Sequence, residues 1–174
     1  MIRIHSSKGF TLIELIVAFS IISIISVVGF ASFVTYSRTQ AIDNEANQLV
    51  STLNLAKAKA QSQVKPSDCS SNDILKEYRV NISNNDNSYR LYVVCVQAGG
   101  IDLKVDVPIE GTSNILHSFP SPISVNTSTA DISYNVLSGG ITPATITLTG
   151  AWVGQNMTRT ITIQNDGNIS VTSP

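Results

Sequence analysis

Charge is scarce in this sequence: 13 % of its 174 residues are Asp, Glu, Lys or Arg, roughly half the share in an average soluble domain. The scarcity is uneven. Residues 10–34 hold one charge, Glu14, and only Arg3 and Lys8 precede them. Basic and acidic residues nearly balance, 11 against 12, and without the first nine residues the count is 9 against 12. No electrostatic field favours nucleic acid as a partner. There are two cysteines and two histidines, and no metal-ligand spacing, phosphate-binding loop or nucleophile elbow. We therefore expect no active site, metal or cofactor, and the chain does not read as a cytosolic enzyme. Its length leaves room for one domain with a modest core.

The amino-terminal third contains what the rest lacks. Of residues 10–34, nineteen are apolar or Gly, and the others are Thr11, Glu14 and four serines. At about 1.5 Å per residue such a helix reaches roughly 37 Å, enough to cross a ~30 Å hydrocarbon core with some tilt. Arg3 and Lys8 precede the span, and positive residues stay on the cytoplasmic side. The body of the protein is thus expected outside the cytoplasm, on a single-pass anchor. A secretory signal peptide also has a basic start and an apolar stretch, but normally of ~7–15 residues with a small-residue cleavage site. Here the stretch is longer and Ala31-Ser32-Phe33 is a weak site. Neither a signal peptide nor a plain anchor explains Glu14. A carboxylate in an apolar span costs roughly 2.5–3.5 kcal/mol on insertion scales and is read as functional.

The residues Lys8-Gly9-Phe10-Thr11-Leu12-Ile13-Glu14 resemble the cleavage and methylation site of type IV prepilins and pseudopilins. The resemblance implies a leader at 1–9, cut after Gly9 by a prepilin peptidase that also N-methylates the new terminus, Phe10. The physics then gives Glu14 a role. Cleavage leaves an ammonium at Phe10 in an apolar bundle, and the Glu14 carboxylate of one subunit can neutralise the Phe10 ammonium of its neighbour. Glu14 is expected to be an assembly residue.

Between Phe10 and Lys65 there is no proline and Gly29 is the only glycine. From Ile42 an apolar stripe continues through Ala46, Leu49, Leu53, Ala56, Ala60 and Val64, with spacings of four and three that place it on one helical face. Asp43, Asn47, Ser51, Asn54, Lys57 and Gln61 stand opposite. The pattern predicts that the helix continues over 35–65 and stops at Lys65-Pro66. The stripe packs on a sheet or, alternatively, forms a coiled-coil dimer; its alanines and short length favour the sheet. Major pilins of the resembled family often carry a proline near Ala31. This chain has none, which leaves Gly29 as the weak point of the helix.

After Pro66 the period changes to two. Strands are predicted around Tyr78, Val80 and Ile82, and then at 89–97, 101–107, 115–119, 123–125, 132–137, 144–149, 158–164 and 169–172. Turn residues separate them, among them Asn84-Asn85-Asp86-Asn87, Gly99-Gly100, Gly139-Gly140, Gly154-Gln155-Asn156 and Asp166-Gly167. The expected fold is α+β: a long N-terminal helix, transmembrane then amphipathic, packed on an antiparallel sheet or sandwich at 66–174, as in pilins. Gly139-Gly140, Ile146-Thr147-Leu148, Arg159-Thr160-Ile161-Thr162-Ile163 and Gly167-Asn168-Ile169-Ser170-Val171 are also similar to the C-terminal half of the GspH/FimT group of minor pseudopilins and minor pilins. Some members of that group bind DNA through basic residues after the last glycine. Here Asn168 and Ser170 fill that place and Arg159 is the only basic residue after Lys104, so DNA is not expected as a partner.

Cys69 and Cys95 form a pair in the presumed extracytoplasmic part, where a disulfide is expected; two buried free thiols are the alternative. His5 departs with the leader. His117, on a short strand, reads as a surface or half-buried residue, and Asp102 and Asp106 as solvated. Trp152, between Gly150 and Gly154, is either a packed aromatic or an exposed contact. The function expected is that of a structural subunit, minor by its size, of a type IV pilus or type II secretion pseudopilus. Its partners are other pilin or pseudopilin subunits, the prepilin peptidase/N-methyltransferase and membrane lipid. A membrane-anchored adhesin or DNA-capture module is the alternative.

Overall fold

The computed structural model describes residues 9–109 and 116–173. Residues 1–8 of the leader expected at 1–9, and Ile115 of the expected fourth strand, lie outside the described residues. Helix α1 (Leu12–Gln61) is followed by strands β1 (Ile74–Ser83), β2 (Ser88–Val96), β3 (Asp102–Val107), β4 (Leu116–Ser118), β5 (Ile123–Thr127), β6 (Asp131–Asn135), β7 (Ala144–Trp152), β8 (Gln155–Ile163) and β9 (Ile169–Thr172). The chain divides into two compact units, Met1–Thr39 and Gln40–Pro174.

In the first unit the helix passes through Gly29 and Ala31 without interruption. Three of its serines pair their hydroxyls with the helix itself. The hydroxyls of Ser20, Ser23 and Ser26 donate to the carbonyls of Ile16, Phe19 and Ile22 at 2.8, 2.8 and 2.7 Å. Such back-bonding keeps a hydroxyl tolerable in hydrocarbon. Phe10, Leu12, Ile13, Phe19 and Ile24 are all exposed.

In the second unit the stripe is buried as the spacing predicts: Ile42, Ala46, Leu49, Leu53, Ala56 and Ala60 all lie in the core. The helix stops earlier than expected. Its last residue is Gln61, because Gln63 takes a left-handed conformation with φ of 51°. The Gln63 amide then donates to the Ala60 carbonyl and the Val64 amide to the Lys59 carbonyl, both at 3.3 Å, which is a Schellman close. Val64, the last residue of the expected stripe, therefore leaves the helix and is exposed. Lys65-Pro66 follows the stop and does not make it.

All the strands pair antiparallel in two sheets. One has the order β3-β2-β1-β6, with β4 also on β2; the other has the order β5-β7-β8-β9. The predicted strands are all present; the one at 169–172 keeps its predicted ends and the others are shifted at one end or both. β1 begins at Ile74 and accommodates a bulge between Leu75 and Glu77. β7 and β8 run on to Trp152 and Gln155, so only Val153-Gly154 is left as their hairpin loop. The expected turn at 154–156 is thus mostly strand. Inward-facing Tyr78, Val80, Ile82, Leu91, Val93, Ile132, Ile146, Leu148, Ile161 and Ile163 join the helical stripe in one core.

Two residues from the helix face opposite the stripe are tied to the second sheet. Asp43 Oδ1 accepts from Arg159 Nε at 2.5 Å, and Lys57 Nζ donates to the Gly167 carbonyl at 2.8 Å. Asp43 meets β8 at its midpoint, Arg159, and Lys57 meets the turn after its end. Fourteen residues of helix, about 21 Å, therefore run along β8 in the same direction. Hydropathy alone does not show this, because it places the charges opposite the stripe without naming their partners.

Trp152 ends β7 and packs over Gly150: a Cβ built there would lie 2.1 Å from the indole ring. Trp152 is thus the packed aromatic of the two alternatives, half-buried against the core. Gly150→Ala is expected to displace the only tryptophan of the chain, red-shifting its emission and costing about 1–3 kcal/mol. Unchanged emission would contradict the contact.

Burial pushes the hydroxyl of Tyr89 up to about 12, with Thr52 pulling slightly the other way, and raises Tyr78 and Tyr134 as well. Each phenol keeps its proton longer folded than unfolded. Their contribution is complete below about pH 10 and is lost as pH rises, since the unfolded chain then releases protons that the folded one holds. Urea midpoints of the Gln40–Pro174 unit should therefore be level from pH 8 to 9.5 and fall above pH 10. A midpoint still level at pH 11 would contradict the burial.

Candidate functional site

Thr11 and Glu14 begin the helix together. Thr11 is its N-cap, and its hydroxyl accepts from the Glu14 amide at 3.3 Å. Thr11-Leu12-Ile13-Glu14 is thus a Thr-x-x-Glu start, a capping-box pattern. The sequence reading treated Thr11 only as part of a cleavage motif. Glu14 stands in the first turn, where the unpaired amides of the helix end favour a negative charge by about 0.3–1 kcal/mol. The cap thus holds the acid at the one place in an apolar helix where its charge is least costly.

The neighbours of Glu14 are apolar. Phe10, Leu15, Ala18, Phe19 and Ile22 form with it a groove on one face of the first unit. Gly9 and Phe10 precede the helix and are exposed. The uncut chain has no amine at Phe10, whose nitrogen is still in the Gly9 peptide bond, so no ion pair with Glu14 forms within it. The site is thus a carboxylate set in an apolar face at the start of the helix.

The other sequence-nominated residues lie in the second unit. Cys69 and Cys95 are joined by a disulfide, with Cα atoms 6.2 Å apart. Cys69 lies between α1 and β1, Cys95 lies in β2, and both are buried. Closing this loop contributes about 3 kcal/mol. His117 sits on β4 with Nε2 2.8 Å from Glu45 Oε2. Its ring lies against Tyr89 and Phe119, with centroids 4.9 and 5.7 Å away. This is a packed histidine that ties β4 to the helix. Asp102 pairs with Lys76 at 2.8 Å. Among the described residues no group of His, Cys, Asp and Glu is arranged to hold a metal ion, and no cysteine is free.

Sequence reading also missed Asn87. The four residues 84–87 were assigned only a turn, and Asn87 does occupy it with φ of 49°. Its side chain reaches further. Nδ2 donates to the carbonyls of Ile123 and Phe119 at 2.7 and 3.3 Å, and Oδ1 accepts from the Val125 amide at 2.8 Å. Asn84 Oδ1 takes the Thr127 amide at 3.2 Å. A turn of the first sheet thereby seals the open edge of β5 in the second. An Asn-rich turn gives only a weak sequence signal of this, because its partners lie more than thirty residues away.

With this geometry established, comparison with known proteins places the chain. Residues 4–30 match the prokaryotic N-terminal methylation motif, and residues 45–167 match type II transport protein GspH. Comparison with curated proteins gives no significant match. Two solved structures of the minor pseudopilin EpsH from the type II secretion system of Vibrio cholerae share the fold. One has a TM-score of 0.53 at 14 % identity, over 76 % of this chain and 96 % of the other. The second has a TM-score of 0.52 at 15 % identity, over 78 % and 95 %. An apolar helix headed by a capped acid, a methylation motif around it, and a GspH match over most of the chain lead to one conclusion: this protein belongs to the type II transport protein GspH family.

Proposed function

We propose that the chain is a minor pseudopilin, a structural subunit without catalytic activity, built into the pseudopilus of a type II secretion system. Prepilin peptidase cuts it after Gly9 and methylates the Phe10 amine. Residues 10–34 then hold it in the lipid of the cytoplasmic membrane with the β-domain outside, until it enters the filament. There Glu14 neutralises the Phe10 ammonium of an adjacent subunit, and the groove around Glu14 packs on that subunit's helix. The carrying observation is that the methylation motif at 4–30 and the GspH match at 45–167 occur in one chain. The helix capable of crossing a membrane supports it, and so does the likeness to EpsH.

The site around Glu14 favours a protein partner over DNA. Arg159, the one basic residue near the end of the chain, already has its charge taken up by Asp43, so no cluster of free cations faces phosphate there. The test is co-purification from cells that make the other pseudopilins, with and without prepilin peptidase. The chain should accompany the assembled subunits only when the peptidase is present. Equal recovery without it would refute the proposal.

A further inference from the structure

An antiparallel sheet has two edges, and proteins protect them from stray pairing by cover or charge. Among the described residues the first sheet ends on β3, with the short β4 beside it, and on β6, and the second ends on β5 and β9; β5, β6 and β3 are protected. The edge of β5 is sealed by Asn84 and Asn87. Along β6, the Asn135 amide donates to the Gly140 carbonyl and the Thr142 amide to the Ser133 carbonyl, so the chain at 140–142 covers it. Asp102, Lys104 and Asp106 put three charges on β3. The fourth edge, β9, has the sequence Ile169-Ser170-Val171-Thr172, with no charge, proline or bulge.

The hydrogen bonds show which groups of β9 are open. The Gln164 amide donates to the Asn168 carbonyl at 2.9 Å. Bonded and non-bonded pairs alternate along an antiparallel ladder. The pairs Thr162–Ser170 and Thr160–Thr172 are then bonded, while Ile163–Ile169 and Ile161–Val171 are not. The amides and carbonyls of Ile169 and Val171 accordingly point away from β8. They form two donor–acceptor sets about 6.8 Å apart, and Val171 is exposed above them.

We propose that β9 is a docking edge that takes an extended strand from a different pseudopilin subunit, prolonging the second sheet by β-augmentation. An unpaired row of amides and carbonyls at this spacing is matched by a peptide backbone in the extended form. The side chains of β9 specify the rest: an uncharged strand whose apolar residues alternate with small polar ones, to continue the Ile169/Val171 and Ser170/Thr172 faces. A second copy of this chain does not fit. Pairing β9 with itself needs a two-fold axis normal to the sheet, which reverses the helix that runs along β8. Two copies entering one membrane in the same direction cannot be related in that way.

The inference rests on the pseudopilin reading, and its test separates the two. Full-length protein is compared by amide hydrogen exchange alone in detergent and in membrane-extracted complexes with its co-expressed pseudopilins. In the complexes, exchange at Ile169 and Val171 is expected to slow about tenfold or more. Val171→Pro removes only an outward amide and leaves the β8 ladder whole, so it should abolish that complex while the melting temperature stays within a few degrees. Complexes that contain the chain but leave both amides fast would overturn the docking edge and spare the pseudopilin reading. Complexes that never contain it would overturn both. Slow exchange in the protein alone, rising with its concentration, would make the occupant a second copy and overturn the proposal. Should Val171→Pro unfold the domain, the wild-type exchange comparison decides.

Discussion

Replacing Glu14 by alanine is expected to leave the protein in the membrane, cut after Gly9, and absent from the filament. Removing the carboxylate eases insertion, since an acid in an apolar span costs roughly 2.5–3.5 kcal/mol. Membrane retention should therefore be normal or better. Assembly should move the other way. The ammonium of the neighbouring subunit is left without its partner among Leu15, Ala18, Phe19 and Ile22, which line the groove around Glu14. Breaking a buried ion pair from one side costs about 3–5 kcal/mol, a factor of about a hundred or more in incorporation. Glu14→Gln keeps the shape and the helix cap but not the charge, and should fail nearly as badly. Thr11→Ala is the contrasting variant. It removes the cap and keeps the acid, at about 1 kcal/mol, and should only weaken assembly. Pull-down of assembled material, with total membrane protein as reference, reads all three. Normal incorporation of Glu14→Gln would show that the pair is not the driving contact.

The second large effect is expected at Asn87, in the turn between β1 and β2. Asn87→Ala removes three hydrogen bonds to the β5 backbone and its flank. Each contributes about 1 kcal/mol net. It also places alanine at φ of 49°, where asparagine is tolerated better than other side chains, adding up to about 1 kcal/mol. The sum is about 3–4 kcal/mol, or a fall of about 10–15 °C in melting temperature for a unit of this size. Asn87→Gly keeps the turn and loses the bonds, so it should recover only the backbone share. Thermal unfolding of the Gln40–Pro174 unit checks this. A loss below 1 kcal/mol for the alanine variant would mean that water seals the β5 edge equally well.

These two residues show where the sequence was legible and where it was not. Glu14 was legible as an acid at the head of an apolar helix because it breaks a local pattern, one acid in 25 otherwise uncharged residues. The helical stripe from Ile42 to Ala60 and the alternation in the strands were legible for the same reason, since burial on one face writes a period into the chain. What failed was set by contacts between distant segments or by backbone geometry. The helix ends at Gln61 because Gln63 turns left-handed, and glutamine carries no warning of that. Asp43 and Lys57 were legible only as polar positions opposite the stripe, because their partners Arg159 and Gly167 are more than a hundred residues away. The edge-sealing role of Asn87 was hidden likewise. Thr11 is different. Its capping pattern lay in plain view and was absorbed into the cleavage motif that overlaps it.

The central claim is that a new amine at Phe10 exists to meet Glu14, and the intact mass of the protein purified from membranes tests it most directly. The account predicts a chain that begins at Phe10 and carries one added methyl group on its nitrogen, with the disulfide between Cys69 and Cys95 in place. A chain that still begins at Met1 has no amine there, and finding it in assembled pseudopili would contradict the account.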